Sequence, residues 1–546
     1  MIDPSDVADP GEPLSRGFAP LPETSDEPPR DQDPEVVRAA AILAAGNVTS
    51  RMLGLVREMV KASLFGASGL LSAFEVAAYV PTSLYDLIIG GMVNSSLVPV
   101  FSDYAAKERR QELWSVLSTV LSVATALLLF VVGLVIFFAP QIAWIVGANE
   151  FDDPQLTQTA IHLMRMAAPA VLFLSVASIL TGALYALKRF VVPAFIGAVF
   201  NGTVVVVALL FPERIESLVW GILLGSILQI LVQLVPLRDA QLRWQLNWRH
   251  PAVRRILVLY APIVAGLVIN QLAVALSYNL ATRTGDQSIS FMKFATTLYQ
   301  FPLGLVVTAV SIATLPTLSR QASGQLAAFK QTLAEGLRLV ITLILPATAG
   351  LFVLALPIVT LLFERGQFTT QDSAIKAHVL RFYLFGLPFA AVDQMLVYAS
   401  FARKDTLRPA LAGVISILIY LGVAVILLQP LGLLSLMIAD GVKHIVHTLI
   451  MLVIVRRQIG RMSGYNILTT TAKSIVAAFL VGVAAYFTAE FMAAAVDTGT
   501  TAGKLLVVLV SGGAGVLVYS GLVFLLDLRD AKSLSDILPK KRRHTI

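Results

Sequence analysis

One apolar stretch carries the residues most able to do chemistry: Ser50-Arg51-Met52-Leu53-Gly54-Leu55-Val56-Arg57-Glu58-Met59-Val60-Lys61. Arg57 and Lys61 are four residues apart and so share a helical face, and Arg51, two turns before Glu58, can project towards the same side. Three cations on one membrane helix suit an anionic ligand, above all a phosphate, which arginine binds through a planar fork. A second reading is that Arg57, Glu58 and Lys61 lie near the end of a span and extend their charged tips to the interface. Glu75 and Asp86 follow in the next apolar segment, placed either to neutralise those cations in a closed state or to take up a proton or a sodium ion. Lys293 and Gln300 fall in a later one. Farther along, Arg381, Asp393, Asp440, Lys443, His444 and His447 are intramembrane or close to its edge. Asp440, Lys443 and His444 stand at helical spacings of three and four, the pattern of a local ion pair.

None of these groups forms an enzyme constellation. The six histidines are not at ligand spacing with acids, there is no phosphate-binding glycine loop, and no serine, histidine and aspartate fall into a triad pattern. With no cysteine, the chain has no disulfide, thiol nucleophile or thiolate metal site. A transporter without a resident cofactor is expected, coupled if at all to sodium ions or protons.

The elements that must hold these charges are membrane helices. Of 546 residues, 57% are hydrophobic and only 14% charged, with a mean hydropathy of +0.79, whereas a soluble domain carries about a quarter charged residues. The excess falls in fourteen apolar segments between residues 38 and 526, each near the roughly twenty residues that a bilayer core requires. An all-α polytopic membrane protein follows, and an even count puts both termini on one side. Every second connection is basic: Lys107/Arg109/Arg110, Lys188/Arg189, Arg238 to Arg255, Arg320/Lys330, Arg403/Lys404/Arg408 and Arg456/Arg457/Arg461. Because cytoplasmic loops carry the lysine and arginine excess, both termini are predicted cytoplasmic. Residues 1–36 hold ten acids against Arg16 and Arg30 with eight prolines, and read as a disordered acidic tail. The cluster Lys540-Lys541-Arg542-Arg543 reads as an anchor to anionic membrane lipids rather than as a nucleic-acid site.

An internal repeat is visible. His162-x-x-Arg165 recurs as His378-x-x-Arg381 and Pro193-Ala194-x-x-Gly197 as Pro409-Ala410-x-x-Gly413, both 216 residues on; Pro99-x-x-Ser102 recurs as Pro316-x-x-Ser319. Segments one to six and seven to twelve are thus read as two copies of one bundle in the same orientation, related by a pseudo-two-fold axis along the membrane normal, with a substrate path between them. Segments thirteen and fourteen stand outside the repeat. The predicted division is a tail at 1–36, an N-lobe at 37–237, a C-lobe at 238–456, helices thirteen and fourteen at 457–526, and a basic tail at 527–546.

Four stretches carry a family resemblance. Ser50 to Glu58 has the pattern S-R-x-L-G-x-x-R-[DE]; Leu97-Val98-Pro99-Val100-Phe101 closes segment two; Phe301-Pro302-x-Gly304 and Leu315-Pro316-x-Leu318-Ser319 lie in segment eight; and Leu362-Phe363-Glu364-Arg365-Gly366-Gln367-Phe368-Thr369 follows segment nine. Together they resemble the MurJ/MviN family, the bacterial lipid II flippases of the multidrug/oligosaccharidyl-lipid/polysaccharide exporter superfamily. The resemblance implies two lobes forming a V around a central cavity, a groove by segments thirteen and fourteen for a polyprenyl tail, and alternating access in the bacterial plasma membrane, driven by membrane potential or an ion gradient. It implies as cargo an undecaprenyl-pyrophosphate-linked saccharide, lipid II, held by cavity arginines of which Arg51 and Arg57 carry over. Two further family arginines fall at Tyr85 and Thr297, and acids of the family fall at Ser72, Gly90, Thr296 and Gln300.

Lys293 lies one turn before Thr297, and Lys61 one turn beyond Arg57, so both are placed to restore the cavity's positive charge. The candidate substrate-binding residues are therefore Arg51, Arg57, Lys61, Lys293, Tyr85 and Thr297, with Glu58, Glu75 and Asp86 as candidates for an ion site or a gate. The missing arginines leave two other readings beside lipid II: a flippase for another polyprenyl-pyrophosphate-linked glycan, or a non-transporting scaffold whose acidic tail recruits cell-wall synthesis proteins.

Overall fold

The computed structural model describes residues 34–528, and among them every regular element is helical. The runs are α1 (Pro34–Phe65), α2 (69–102), α3 (Lys107–Phe137), α4 (Pro154–Ala186), α5 (Val191–Leu210), α6 (Glu216–Leu237), α7 (Pro251–Thr282), α8 (Ser288–Gln321), α9 (Leu326–Val353), α10 (370–402), α11 (Leu407–Leu431), α12 (Leu434–Ile459), α13 (Ile467–Ala495) and α14 (Thr501–Leu525). Ten are long and apolar enough to cross a membrane, and the bent α7 and α10 bring the number to twelve. The two that remain, α1 and α2, hold the charges singled out above, and with them the count is consistent with fourteen. The first helix already includes residues 34–36, which fall inside the stretch expected to be tail. The rest of the acidic tail and the basic cluster at 540–543 lie outside the described residues.

The duplication extends to irregular features. A short helix follows α3 at Ala139–Ile145, and another follows α9 at Ala355–Phe363, starting 216 residues later. A π-helical turn opens α2 at Asp86–Gly90 and α8 at Leu303–Val307, 217 residues on. Both α4 and α10 loosen at a two-residue turn, 168–169 and 385–386. The repeated arginines do the same work in each copy. Arg165 donates to the Ile136 carbonyl at 3.3 Å and Arg381 to the Phe352 carbonyl at 3.1 Å, each satisfying an acceptor that the end of the preceding helix leaves open.

Small residues bring the helices of the first copy together. Gly46 and Gly197 lie where α1 and α5 touch, the former against Ala194 and the latter against Ser50. A Cβ on Gly221 would meet the Val204 backbone at 2.8 Å, and one on Gly225 would meet Phe200 at 3.1 Å, so the Gly-x-x-x-Gly spacing is the close contact of α6 with α5. The second copy differs. Its first helix, α7, bends by 57° across residues 262–265, and lies along the first copy. There Tyr260 donates to the Leu87 carbonyl at 3.0 Å, Tyr79 to the Gln271 carbonyl at 2.5 Å, and Asn279 to the Ile145 carbonyl at 3.3 Å; ion pairs Arg255–Asp103 and Arg283–Glu150 hold its two ends. Helices α13 and α14 pack behind α9, where Tyr519 donates to the Thr342 carbonyl at 2.8 Å.

Candidate functional site

Helix α1 presents Arg57, Glu58 and Lys61 to α2 and α8. Lys61 is buried between two carboxylates, with Nζ 2.7 Å from Glu58 Oε2 and paired also with Glu75. It is therefore not a residue reaching for an interface. Arg57 Nη2 lies 2.9 Å from Glu58 Oε1, and Arg57 Nη1 donates to Asn201 of α5 at 3.0 Å. From α8, Lys293 Nζ stands 3.8 Å from Glu75 Oε2. Three cations meet two anions, leaving one positive charge in excess. Both carboxylates and Lys61 are buried, whereas the Arg57 and Lys293 side chains remain 28% and 39% accessible. An arriving anion thus meets the half-exposed arginine and lysine first, over a preorganised base of buried pairs.

Arg57, Lys61, Glu75 and Lys293 line a cavity of about 100 Å³ together with Tyr79 and Tyr278. Lys293 and Tyr278 also line a second cavity of about 470 Å³ in the C-terminal copy, where Asp393, Asp440, Lys443, His444 and His447 converge. In it His447 Nδ1 is 2.5 Å from Asp393 Oδ1, Asp440 pairs with Lys443, and His444 Nε2 lies 3.6 Å from Asp440. The helical spacing read as a local ion pair is one, and Lys293 bridges the two chambers.

Four predicted residues stand apart from the cluster. Arg51 is six positions before Arg57 and points elsewhere on the helical wheel; its guanidinium lies against Gly304 of α8, where any Cβ would overlap it. The Tyr85 hydroxyl shares a 2.8 Å hydrogen bond with Ser178 of α4. Thr297 donates to the Lys293 carbonyl of its own helix at 3.0 Å. Asp86 is exposed at the π-turn of α2, 3.5 Å from the Gln271 amide on α7.

Lys376 was not singled out from sequence. It is fully buried on α10, and its ammonium lies over three packed rings, 4.3 Å from the centroid of Phe294 and 5.4 Å from that of Phe368, with Phe363 closest. Its Nζ has no hydrogen-bond partner. A lone lysine inside an apolar segment was the available signal. Phe363 and Phe368 belong to the signature stretch 362–369, which also binds the end of α1: the Gln367 N–H donates to the Ser63 carbonyl at 2.9 Å. Glu364 of the same stretch pairs with Lys504 of α14 at 3.1 Å, and Thr369 with Asp372 forms the capping box that starts α10.

An apolar groove runs along α9, α10 and α13, in two stretches of about 500 and 650 Å³ that meet at Leu345 and Ile475. It differs from the expectation in its walls: α12 contributes to it, while α14 lines neither stretch. Among the described residues, no three acids or histidines are grouped to hold a metal ion.

A family model described as lipid II flippase MurJ matches residues 61–506. A probable lipid II flippase MurJ of Bdellovibrio bacteriovorus is 27% identical over 509 residues, covering 90% of this chain and 95% of that one. The lipid II flippase MurJ of Burkholderia cenocepacia is 28% identical over 386 residues, covering 68% and 74%. Among solved structures, a lipid II flippase MurJ in an inward closed conformation superposes with a TM-score of 0.73 at 23% identity, over 89% of this chain and 99% of that one. An inward-facing multidrug resistance MATE family transporter does so with a TM-score of 0.63 at 13% identity, over 76% and 95%. These structures share the fold, and the match of the family model across most of the chain makes this multi-pass membrane protein a member of the lipid II flippase MurJ family.

Proposed function

We propose that this chain is a flippase that carries lipid II, the undecaprenyl-pyrophosphate-linked peptidoglycan precursor, from the cytoplasmic to the outer leaflet of the bacterial plasma membrane by alternating access. The observation that carries this reading is the meeting of Lys61 on α1 with Lys293 on α8 over the shared carboxylate Glu75, beside the Arg57–Glu58 pair. Pyrophosphate outcompetes carboxylates for such cations because it offers more charge and more acceptor oxygens in one group. Its arrival would release Glu75 from Lys293, and with it one of the links between the two copies, so that cargo binding and relative movement of the lobes are coupled. Arg51, on the face turned to Gly304, would join the site as α1 and α8 move. The apolar groove beside α13 suits the polyprenyl tail, since a long hydrocarbon chain needs an apolar path that stays open to the bilayer. In the second chamber, the Asp393–His447 pair is the candidate for coupling to protons, and Asp440 for sodium or proton binding. Both termini are taken as cytoplasmic from the loop charges.

A second reading, transport of another polyprenyl-pyrophosphate-linked glycan, draws on Tyr85 and Thr297. They are neutral and already hydrogen-bonded at positions where the family resemblance leads one to expect arginine. Complementation separates the two. Expressed in cells depleted of their lipid II flippase, this chain is expected to restore growth, and the R57A variant to fail. Normal membrane insertion without rescue would favour the other glycan.

A further inference from the structure

The connection from α6 to α7 reads from its charge as a cytoplasmic loop, but its central residues lie along α3. The Arg243 N–H donates to Ser118 Oγ at 3.0 Å and the Gln245 N–H to Ser122 Oγ at 2.9 Å. Two residues of extended chain advance roughly 6.6 Å, which matches the roughly 6 Å between helical residues four apart. Ser115 and Thr119 both donate to the Gln245 side-chain oxygen at 3.3 Å. The polar stripe of α3 is thus covered by the polar edge of this segment.

The other edge is apolar and faces away from the protein. Leu242, Trp244, Leu246 and Trp248 alternate along it and are 39%, 62%, 48% and 64% exposed. Such an inside-out arrangement, with glutamine inward and tryptophan outward, is unfavourable in water and favourable against lipid. Depth agrees, because about twenty residues counted back from Phe137 span a bilayer core, and they end at Ser118, which puts the segment at the hydrocarbon boundary where tryptophan concentrates. Around it Arg238, Arg243, Arg249 and Arg254 are exposed. We propose that residues 238–254 form a membrane-interface anchor, in which Leu242, Trp244, Leu246 and Trp248 enter the lipid and the arginines bind anionic phospholipid headgroups, fixing the base of α7 to the bilayer.

The absence of cysteine makes the test clean. The full chain carrying L246C is placed in nanodiscs of phosphatidylcholine and phosphatidylglycerol and treated with a membrane-impermeant thiol reagent, beside S323C on an exposed turn as control. L246C is expected to react at least tenfold more slowly than S323C, whereas equal rates overturn the proposal. If deleting residues 1–33 exposes L246C, the occupant is the acidic tail and the lipid assignment falls. A triple variant R243Q/R249Q/R254Q is expected to lose the preference for phosphatidylglycerol over phosphatidylcholine; an unchanged preference overturns the headgroup contact.

Discussion

Ser72 of α2 and Ser290 of α8 stand 218 residues apart, close to the repeat spacing, and their hydroxyl oxygens meet at 3.0 Å. Ser290 is tied further by its N–H to Ser72 Oγ at 3.2 Å and by its hydroxyl to the Ser68 carbonyl at 3.1 Å. Residues one position from exact equivalence touching each other place the pseudo-two-fold axis close by, about one helical turn from the Glu75–Lys293 pair. If transport requires the copies to separate here, a covalent link must stop it. The variant S72C/S290C should cross-link on oxidation, lose transport, and regain it with reductant. Full transport by the cross-linked protein would show that this contact never opens.

Gly304 allows Arg51 to lie against α8, and no side chain fits in the same place. G304A should displace the guanidinium, which is the far end of a flexible chain, so stability should change by less than about 1 kcal/mol. Transport should fall about as far as in R51A. The double variant should be no worse than either single one, because both remove one interaction. Additive losses would mean that Arg51 and Gly304 act independently.

Much of this architecture was legible in the sequence, since apolar run length and loop charge are local properties that a bilayer enforces. The repeat was legible too, and Arg165 and Arg381 show why: each satisfies the end of the preceding helix, a need the duplication copied along with the residue. The cluster at Glu75 was half legible. Arg57 and Lys61 share a face by spacing alone, but Arg51, Tyr85, Asp86 and Thr297 were assigned to the same cavity without knowing which neighbour each helix face meets. Lys376 escaped because its cage joins rings from α8 and from the stretch before α10, a long-range arrangement that periodicity cannot reveal.

The caged Lys376 offers a test of what its charge is for. Cation–π contact contributes up to about 2 kcal/mol, while burying an ammonium costs several, so a methionine of similar length should fit without loss. K376M is expected to melt no lower than the parent protein, and K376E to fail to fold. A fall of more than about 5 °C for K376M would mean that the ammonium holds α10 in place.

The central claim is that Lys61 and Lys293 supply the positive charge that grips pyrophosphate. Binding of lipid II to the purified chain in nanodiscs tests it most directly, comparing E75Q with K61M/E75Q/K293M so that the shared carboxylate is not left unpaired. Two charge-assisted contacts at about 1.5 kcal/mol or more each amount to roughly a hundredfold in affinity. The triple variant should bind at least that much more weakly than E75Q. Affinities within about threefold of each other would contradict the account and place the pyrophosphate elsewhere.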